Sequence, residues 1–382
     1  DLLTGERLWA VELTAEGVMP QRPNSYYYYN NSGTSKPDIM FTDSGHYALA
    51  GDGDMLIAVG PYVSDETLMR ISQSNASLAD TQGLRLPEIH AYSIRQKGQV
   101  MWSSWQDGVP DEAKGMILVS PPSVAQGKVY VVGLLAEAYH LLAFDLETGE
   151  MLFRQRLSRQ PTNEQQYYYE ATYETLLMAH HVSAPVVSQG RVYALTNAGT
   201  VGCFDSESGA PIWAWTYPTA FAGTPRACRR ESGQWASPNP LIALDGRLYM
   251  MPSDSDQLYC LDATTGQQLW RRFAEGQEHL TFLPGNRLLL SSPVAIILDA
   301  ADGSELSRPD VDGICARPAV TESSLYLPGP GLIYQIDLTG GAMTPYVFTA
   351  PDALFGNLVA AEGALISANT LGVSVFSNYQ QA

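Results

Sequence analysis

Residues 145–149 read DLETG, and Phe153 follows the glycine by four residues. The same phrase, an aspartate, three residues, a glycine and then a bulky residue, recurs along the chain. Strong copies begin at Asp1, Asp205 and Asp262, and weaker copies begin at Asp299 and Asp337. One more copy keeps Gly98 and Trp102 but has Ile94 at the aspartate position. A phrase that recurs at a nearly fixed spacing is typical of a repeat architecture, in which each copy builds one structural unit.

Each copy lies between two apolar runs, which predicts two β-strands joined by a tight turn. The aspartate can accept backbone N–H groups inside the turn, and glycine adopts positive φ without a Cβ clash. The bulky residue then falls on the next strand; Trp213 and Trp270 are expected to be largely buried against a neighbouring repeat. Upstream of the turn, as in residues 182–205, three strands alternate with short turns. Four short strands over roughly 40 residues are typical of one blade of a β-propeller.

The sequence therefore predicts an all-β fold, a seven-bladed β-propeller that forms a single domain and is closed by its N-terminal strand. The blades are expected at about residues 45–105, 118–157, 182–216, 236–273, 279–308, 316–348, and 354–377 together with 1–13. The last blade combines three strands from one end of the chain with one strand from the other. Pairing the two fragments would remove two exposed sheet edges. The alternative is an eight-bladed ring with an upstream part missing from this sequence.

These repeats resemble the PQQ-like (quinoprotein-type) propeller repeat family, most specifically at residues 128–157, 191–216 and 247–273. That family includes pyrroloquinoline-quinone alcohol dehydrogenases and the outer-membrane assembly lipoprotein of the Bam complex, so the resemblance implies a fold more than an activity. The dehydrogenases are larger, eight-bladed and commonly carry an adjacent cysteine pair beside the cofactor, whereas the four cysteines here are isolated. The chain thus resembles the Bam-complex propeller lipoprotein more than the quinone dehydrogenases, and neither PQQ nor another cofactor is expected.

Composition narrows the class of partner. The net charge is −18 at pH 7, from 22 basic and 40 acidic residues, and such a surface repels nucleic acid. No apolar run approaches the ~18 residues that a transmembrane helix needs.

The sequence is interpreted as a mature or trimmed product, because it begins inside a blade without a methionine. The family precedent implies a periplasmic or extracellular location, with membrane association through a partner or a missing segment left open. Cys203 and Cys260 are expected to be core residues, and a Cys228–Cys315 disulfide is left open.

Residues beyond a minimal propeller are concentrated in a few connections, which run over residues 14–44, 60–88, 106–117, 158–181 and 217–235. The predicted strand order places all of these connections on one face, where insertions usually mark a binding site. Several are rich in tyrosine and arginine, the residues of protein-binding hot spots. The candidate binding-face residues are Tyr27, Tyr28, Tyr167, Tyr168, Arg226, Arg229, Arg230 and Trp235. The equally weighted alternative is that the tyrosines hold long loops onto the blades.

A second polar set is predicted at the starts of inner strands, near the mouth of the central channel. It consists of His46, His180, His181, Asn239, His279, Arg317 and Asn357. Imidazoles on a rim could hold a transition metal, but no pair has close ligand spacing, so ordinary polar lining is favoured and no metal site is assigned. Nucleophile-elbow, phosphate-loop and zinc-protease motifs are absent from the sequence, so no catalytic residue is assigned.

These observations favour a non-catalytic scaffold that binds a protein partner through its loop-rich face in an extracytoplasmic assembly. The alternative is an extracellular enzyme, for example one acting on a polysaccharide and depending on a metal, with its site at the channel mouth. A PQQ-dependent dehydrogenase is the least favoured hypothesis. The oligomeric state is left open.

Overall fold

A computed structural model of the chain describes residues 49–60, 88–104, 113, 116–135, 138–159, 182–196, 198–219, 238–339, 346–349, 355–361, 363–369 and 372–377. Every regular element named within these ranges is a β-strand, and the strands form seven sheets. No helix that could cross a membrane occurs in these ranges. The chain is an all-β, seven-bladed propeller, which confirms the predicted fold class. The closing strand predicted at residues 1–13 lies outside the described ranges, as does Cys228.

The blades are numbered along the chain, and their strands follow. Blade 1 contains β1 (Leu49–Asp52), β2 (Met55–Gly60), β3 (Glu88–Ser93) and β4 (Gln99–Ser103). Blade 2 contains β5 (Ile117–Leu118), β6 (Ser123–Ala125), β7 (Lys128–Leu135), β8 (Ala138–Asp145) and β9 (Met151–Arg159). Blade 3 contains β10 (Val186–Ser188), β11 (Arg191–Leu195), β12 (Thr200–Asp205) and β13 (Pro211–Thr216). Blade 4 contains β14 (Ile242–Leu244), β15 (Arg247–Met250), β16 (Gln257–Asp262) and β17 (Gln268–Phe273).

The remaining three blades follow the same order. Blade 5 contains β18 (His279–Leu283), β19 (Arg287–Ser291), β20 (Ile296–Asp299) and β21 (Glu305–Ser307). Blade 6 contains β22 (Ala319–Val320), β23 (Ser324–Gly329), β24 (Leu332–Asp337) and β25 (Tyr346–Thr349). Blade 7 contains β26 (Asn357–Ala361), β27 (Ala364–Asn369) and β28 (Gly372–Ser377). Within each blade consecutive strands pair antiparallel, except that β5 and β6 both pair with β7.

The repeated phrase forms the turn between the third and fourth strands of a blade. In blade 2, Asp145 Oδ1 accepts the N–H groups of Thr148 (2.8 Å) and Glu147 (3.0 Å) and the Thr148 hydroxyl (2.9 Å). These bonds, led by that of the Thr148 N–H, hold the pKa of Asp145 below its usual range. The glycine that ends the turn, Gly149, has a φ of 74°. The turns that begin at Asp205 and Asp262 repeat the arrangement, so the local chemistry of five residues determines each turn.

The same turn also connects neighbouring blades. Four turn glycines, Gly149, Gly209, Gly266 and Gly303, pack on the rings of Trp102, Phe153, Trp213 and Trp270 in the preceding blade. A Cβ at these glycines would lie 2.5, 2.6, 2.7 and 2.8 Å from the respective ring atoms. The indole Nε1 of Trp102 also donates to the Leu146 carbonyl of blade 2 at 2.9 Å. Glycine is therefore required twice at these positions, by its φ and by the ring that covers it.

The predicted packing of Trp213 and Trp270 against a neighbouring blade is confirmed. Both pack against the next blade, but both are only half-buried, whereas Trp102 is 2% exposed. Trp213 and Trp270 lie on the outermost strands of blades 3 and 4, as Trp102 does in blade 1, so the position of the strand alone does not determine how far each ring is covered.

Within the described ranges the core consists of six apolar clusters, each shared by two successive blades. The cluster between blades 3 and 4, for example, packs Tyr193 and Leu195 against Leu248 and Tyr259. Cys203 and Cys260 are buried in such clusters, and burial raises the pKa of their thiols to about 11 and about 12. Because the blades bury apolar surface against each other, the ring is stabilised by its interfaces as well as by its sheets.

Candidate functional site at the channel mouth

The predicted site residues fall into two groups. The eight binding-face candidates, Tyr27, Tyr28, Tyr167, Tyr168, Arg226, Arg229, Arg230 and Trp235, lie outside the described residues, as do His46, His180 and His181. The binding face therefore stays a prediction from sequence. The described candidates are Asn239, His279, Arg317 and Asn357.

These four candidates lie where the chain enters the inner strands of blades 4 to 7. Asn239 precedes β14, His279 begins β18, Arg317 precedes β22 and Asn357 begins β26. Inner strands line the channel of a propeller and run in the same direction, so their starts share one face. The structure brings these residues to one mouth of the channel; whether they bind anything stays a prediction.

Asn239 connects blade 4 to blade 5 through a two-point contact with backbone. Its Nδ2 donates to the Glu278 carbonyl at 2.9 Å, and its Oδ1 accepts the Leu280 N–H at 2.9 Å. The side chain therefore holds the backbone on both sides of His279 in the manner of a neighbouring strand. The hydroxyl of Ser183, which precedes β10, donates to the Asn239 carbonyl and extends this connection to blade 3.

Asn357 makes a related contact between blades 6 and 7. Its Oδ1 accepts the N–H of Arg317 at 3.0 Å, and the N–H of Leu358 donates to the Arg317 carbonyl at 3.0 Å. Asn239 uses both the donor and the acceptor of its amide, whereas Asn357 uses the acceptor of its amide and the backbone N–H of the next residue.

Arg317 links blade 6 to blade 4. Its Nη2 donates to the Pro238 carbonyl at 2.9 Å, and its Nη1 donates to Asn239 Oδ1 at 3.4 Å. Because blade 5 lies between these blades along the ring, the side chain reaches along the edge of the channel mouth. Burial lowers the pKa of Arg317 to about 10, so the guanidinium stays charged at neutral pH. The described part of the channel mouth thus consists of one charged guanidinium and two amides, which hydrogen-bond mainly to backbone groups.

The described histidines do not come together. His90 lies on β3 of blade 1, where its Nε2 is 3.1 Å from the Gly60 carbonyl oxygen, and His140 lies on β8 of blade 2. Burial, with Arg154 and Arg156, lowers the pKa of His140 to about 4. His279 is buried at the mouth and pairs in register with Ser291. Within the described ranges, no three histidine, cysteine or acidic side chains are grouped as metal ligands.

Sequence reasoning missed a tyrosine that repeats at the start of the second strand. The hydroxyls of Tyr130, Tyr193 and Tyr249 donate to carbonyls in the turn of the next blade, at Ser206, Ala263 and Ala300, over 3.0, 3.0 and 3.1 Å. The sequence does carry a pattern that marks them, a basic residue, an apolar residue and a tyrosine, at residues 128–130, 191–193 and 247–249. These tyrosines hold blades together and present no free hydroxyl to a ligand.

Comparison with known proteins identifies relatives of this architecture. A family model described as outer membrane protein assembly factor BamB matches residues 1–272. Outer membrane protein assembly factor BamB of Burkholderia pseudomallei (strain K96243) is 24% identical over 191 residues, which cover 48% of this chain and 43% of the relative. The match thus spans less than half the length of that relative.

Solved structures share the fold at low sequence identity. BamB from Moraxella catarrhalis has a TM-score of 0.56 at 16% identity, covering 86% of this chain and 83% of the other. Sqt1 from Saccharomyces cerevisiae has a TM-score of 0.52 at 13% identity, covering 89% and 84%. The quinohemoprotein alcohol dehydrogenase ADHIIG from Pseudomonas putida HK5 has a TM-score of 0.51 at 12% identity, covering 85% and 64%. Such likeness concerns the fold alone, since proteins of different kinds share it.

Proposed function

Because this chain belongs to the PQQ-like propeller family of outer membrane protein assembly factor BamB, we propose that it is a non-catalytic scaffold for assembling outer membrane proteins. In this function the propeller binds a protein partner at the outer membrane, outside the cytoplasm. The observation that carries the proposal is the family match over residues 1–272, which extends from the first repeat through blade 4.

The geometry of the channel mouth supports a scaffold. A catalytic group presents its reactive atom to a substrate. Here the amides of Asn239 and Asn357 are bonded to the backbone of neighbouring blades, and Arg317 donates to a carbonyl two blades away. These interactions hold the inner strands in place, as a rigid binding platform requires.

The partner is proposed to bind the face that carries the long connections. The described strand ends support this placement. The connection between β2 and β3 leaves from the end of a second strand, while those from β9 to β10 and from β13 to β14 lead into the starts of inner strands. In an antiparallel four-strand blade these ends lie on the same face as Asn239 and Arg317. The tyrosines and arginines predicted in these connections supply the contact residues of the proposal.

A complementation experiment tests the function. The gene is deleted in its source organism, and the amounts of folded outer membrane proteins are measured by heat-modifiable mobility. Deletion is expected to reduce these amounts and the wild-type gene to restore them. If the amounts of folded outer membrane proteins are the same in the deletion strain as in a wild-type strain that expresses the protein normally, the proposed function is wrong.

A variant pair then tests the binding face. The face variant combines Tyr167→Ala, Tyr168→Ala, Arg229→Ala and Arg230→Ala. The matched control is Glu147→Ala, an exposed residue in a turn on the opposite face. The control is expected to restore the outer membrane proteins, and the face variant is expected not to restore them. Both variants are expected to be present in equal amounts and to have the same melting temperature. Full complementation by the face variant would move the partner to another surface while leaving the scaffold function in place.

A further inference from the structure

A buried carboxyl group lies at the interface of blades 3 and 4 on the loop-bearing face. Asp254, in the hairpin between β15 and β16, is 4% exposed. Its Oδ2 accepts the N–H of Gly199, in the hairpin between β11 and β12, at 2.9 Å. Its Oδ1 lies 2.8 Å from the hydroxyl oxygen of Tyr217, which directly follows β13. One carboxyl group of blade 4 therefore holds two separate segments of blade 3.

The hydroxyl of Tyr217 faces two acceptors. Its Oη lies 2.8 Å from Asp254 Oδ1 and 3.0 Å from the carbonyl oxygen of Thr196. A tyrosine hydroxyl carries a single proton. When Asp254 is ionised, the carboxylate and the carbonyl compete for that proton, and one of the two contacts brings two oxygens together without a hydrogen between them.

Protonation of Asp254 resolves the competition. The carboxylic acid then donates to Tyr217 Oη, Tyr217 donates to the Thr196 carbonyl, and the Gly199 N–H still donates to Asp254 Oδ2. Every polar atom of this buried chain has a partner, and leaving any of them unsatisfied costs free energy. The arrangement of oxygens thus favours the neutral acid.

The surroundings act in the same direction. Tyr217 is buried against the rings of Trp215 and Tyr259, at centroid distances of 5.8 and 5.6 Å. Burial raises the pKa of Asp254 to about 6 and outweighs the hydrogen bonds from Tyr217 and Gly199, which lower it. Burial, with the nearby carboxyl group, raises the pKa of Tyr217 well above its usual value. The titratable groups that face the pair, or face its neighbour Tyr259, are Tyr139, Tyr259, Asp256 and Arg271.

We propose that Asp254 is a proton-binding latch. When Asp254 is protonated, the Tyr217 hydroxyl is held on the Thr196 carbonyl. When the proton is lost, residues 217–219, which follow β13 and begin the next connection, are held less tightly. This connection carries the sequence of Arg226, Arg229 and Arg230, which belong to the predicted binding face. The latch itself stands on the contacts between blades 3 and 4 and does not depend on the proposed function.

The direction of the pH dependence follows from the pKa. The folded-state pKa of Asp254, about 6, lies above its ordinary value of 3.8, so folding favours the protonated form. The stabilisation that this proton provides is full below about pH 4 and is lost as the pH rises to about 6. The latch is closed in mild acid and open at neutral pH.

The variant Asp254→Asn tests the latch, because an asparagine amide can donate to Tyr217 Oη and accept from Gly199 as the neutral acid does, at every pH. The melting temperatures of the full chain and of this variant are measured from pH 4 to pH 8. The wild type is expected to match the variant near pH 4 and to fall progressively below it between about pH 4 and about pH 6. Melting-temperature curves that stay parallel between pH 4 and pH 6 would overturn the proposal.

Hydrogen exchange gives a second, local readout. Peptides covering Gly199 and residues 217–219 are followed by mass spectrometry at pH 5 and pH 7, corrected for the intrinsic pH dependence of exchange. Protection in the wild type is expected to fall between pH 5 and pH 7 and to stay constant in Asp254→Asn. If that variant does not fold, Tyr217→Phe replaces it, and residues 217–219 are then expected to be weakly protected at both pH values. Protection of the wild type that does not change with pH refutes the latch.

Discussion

The contact between Trp102 and Gly149 provides a sharp test of how the blades are joined. Gly149 has a φ of 74°, and a Cβ there would lie 2.5 Å from the ring of Trp102. Trp102 is buried and bonded to the Leu146 carbonyl, so its ring cannot easily move. Gly127, in the same blade, has a φ of 72° but nothing within 4 Å of its Cβ position. The substitutions Gly149→Ala and Gly127→Ala therefore share the backbone strain and differ in the contact with the neighbouring blade.

The expected free energies follow from these two terms. Placing alanine in the left-handed region costs roughly 1–2 kcal/mol in both variants. In both variants alanine also lowers the conformational entropy of the unfolded chain, which offsets part of this cost. Forcing a methyl group into a packed site costs typically 1–3 kcal/mol more. Gly127→Ala should lower the free energy of unfolding by about 1–2 kcal/mol, and Gly149→Ala by about 2–5 kcal/mol.

Urea unfolding of both variants, followed by far-UV circular dichroism, measures the difference. A double-mutant cycle with Trp102→Ala isolates the contact: once the ring is removed, Gly149→Ala should cost no more than Gly127→Ala. Equal destabilisation of the two single variants would refute the reasoning, because the glycine would then be required only for its φ.

Four further outcomes are expected. Deleting residues 1–13 should lower the urea midpoint of the whole ring, because the strand predicted there closes the sheet of blade 7; an unchanged midpoint would contradict the closure. Asn239→Ala should cost about 1–3 kcal/mol, since it removes the partners of the Leu280 N–H and the Glu278 carbonyl in an interface, and urea unfolding checks this. The pKa of His140 is lowered to about 4, so the stability that neutral His140 provides is lost as the pH falls from about 6.5 to about 4; His140→Gln should flatten that part of the acid unfolding curve. The purified native protein is expected to show no quinone absorbance band, and a stoichiometric band would revive the dehydrogenase hypothesis.

Several features could be predicted from sequence because their causes are local. The turn that begins at Asp145 depends on five consecutive residues, whose hydrogen bonds and glycine φ close within the phrase itself. Repetition of that phrase implied repeated blades, and the count of repeats favoured seven blades over the alternative of eight. The position of Asn239 and Arg317 at one channel mouth also followed, since strand order determines which strand ends share a face.

The tertiary structure decided what those residues contact. Arg317 donates to the Pro238 carbonyl, 79 residues away, and Asp254 meets Tyr217 across a blade interface. No local pattern marks either pair, because each depends on the angle and spacing at which two blades pack. Trp213 shows the same limit. The repeat predicted its contact with the next blade, but not its partial exposure, since Trp102 lies on an outermost strand as well and is buried.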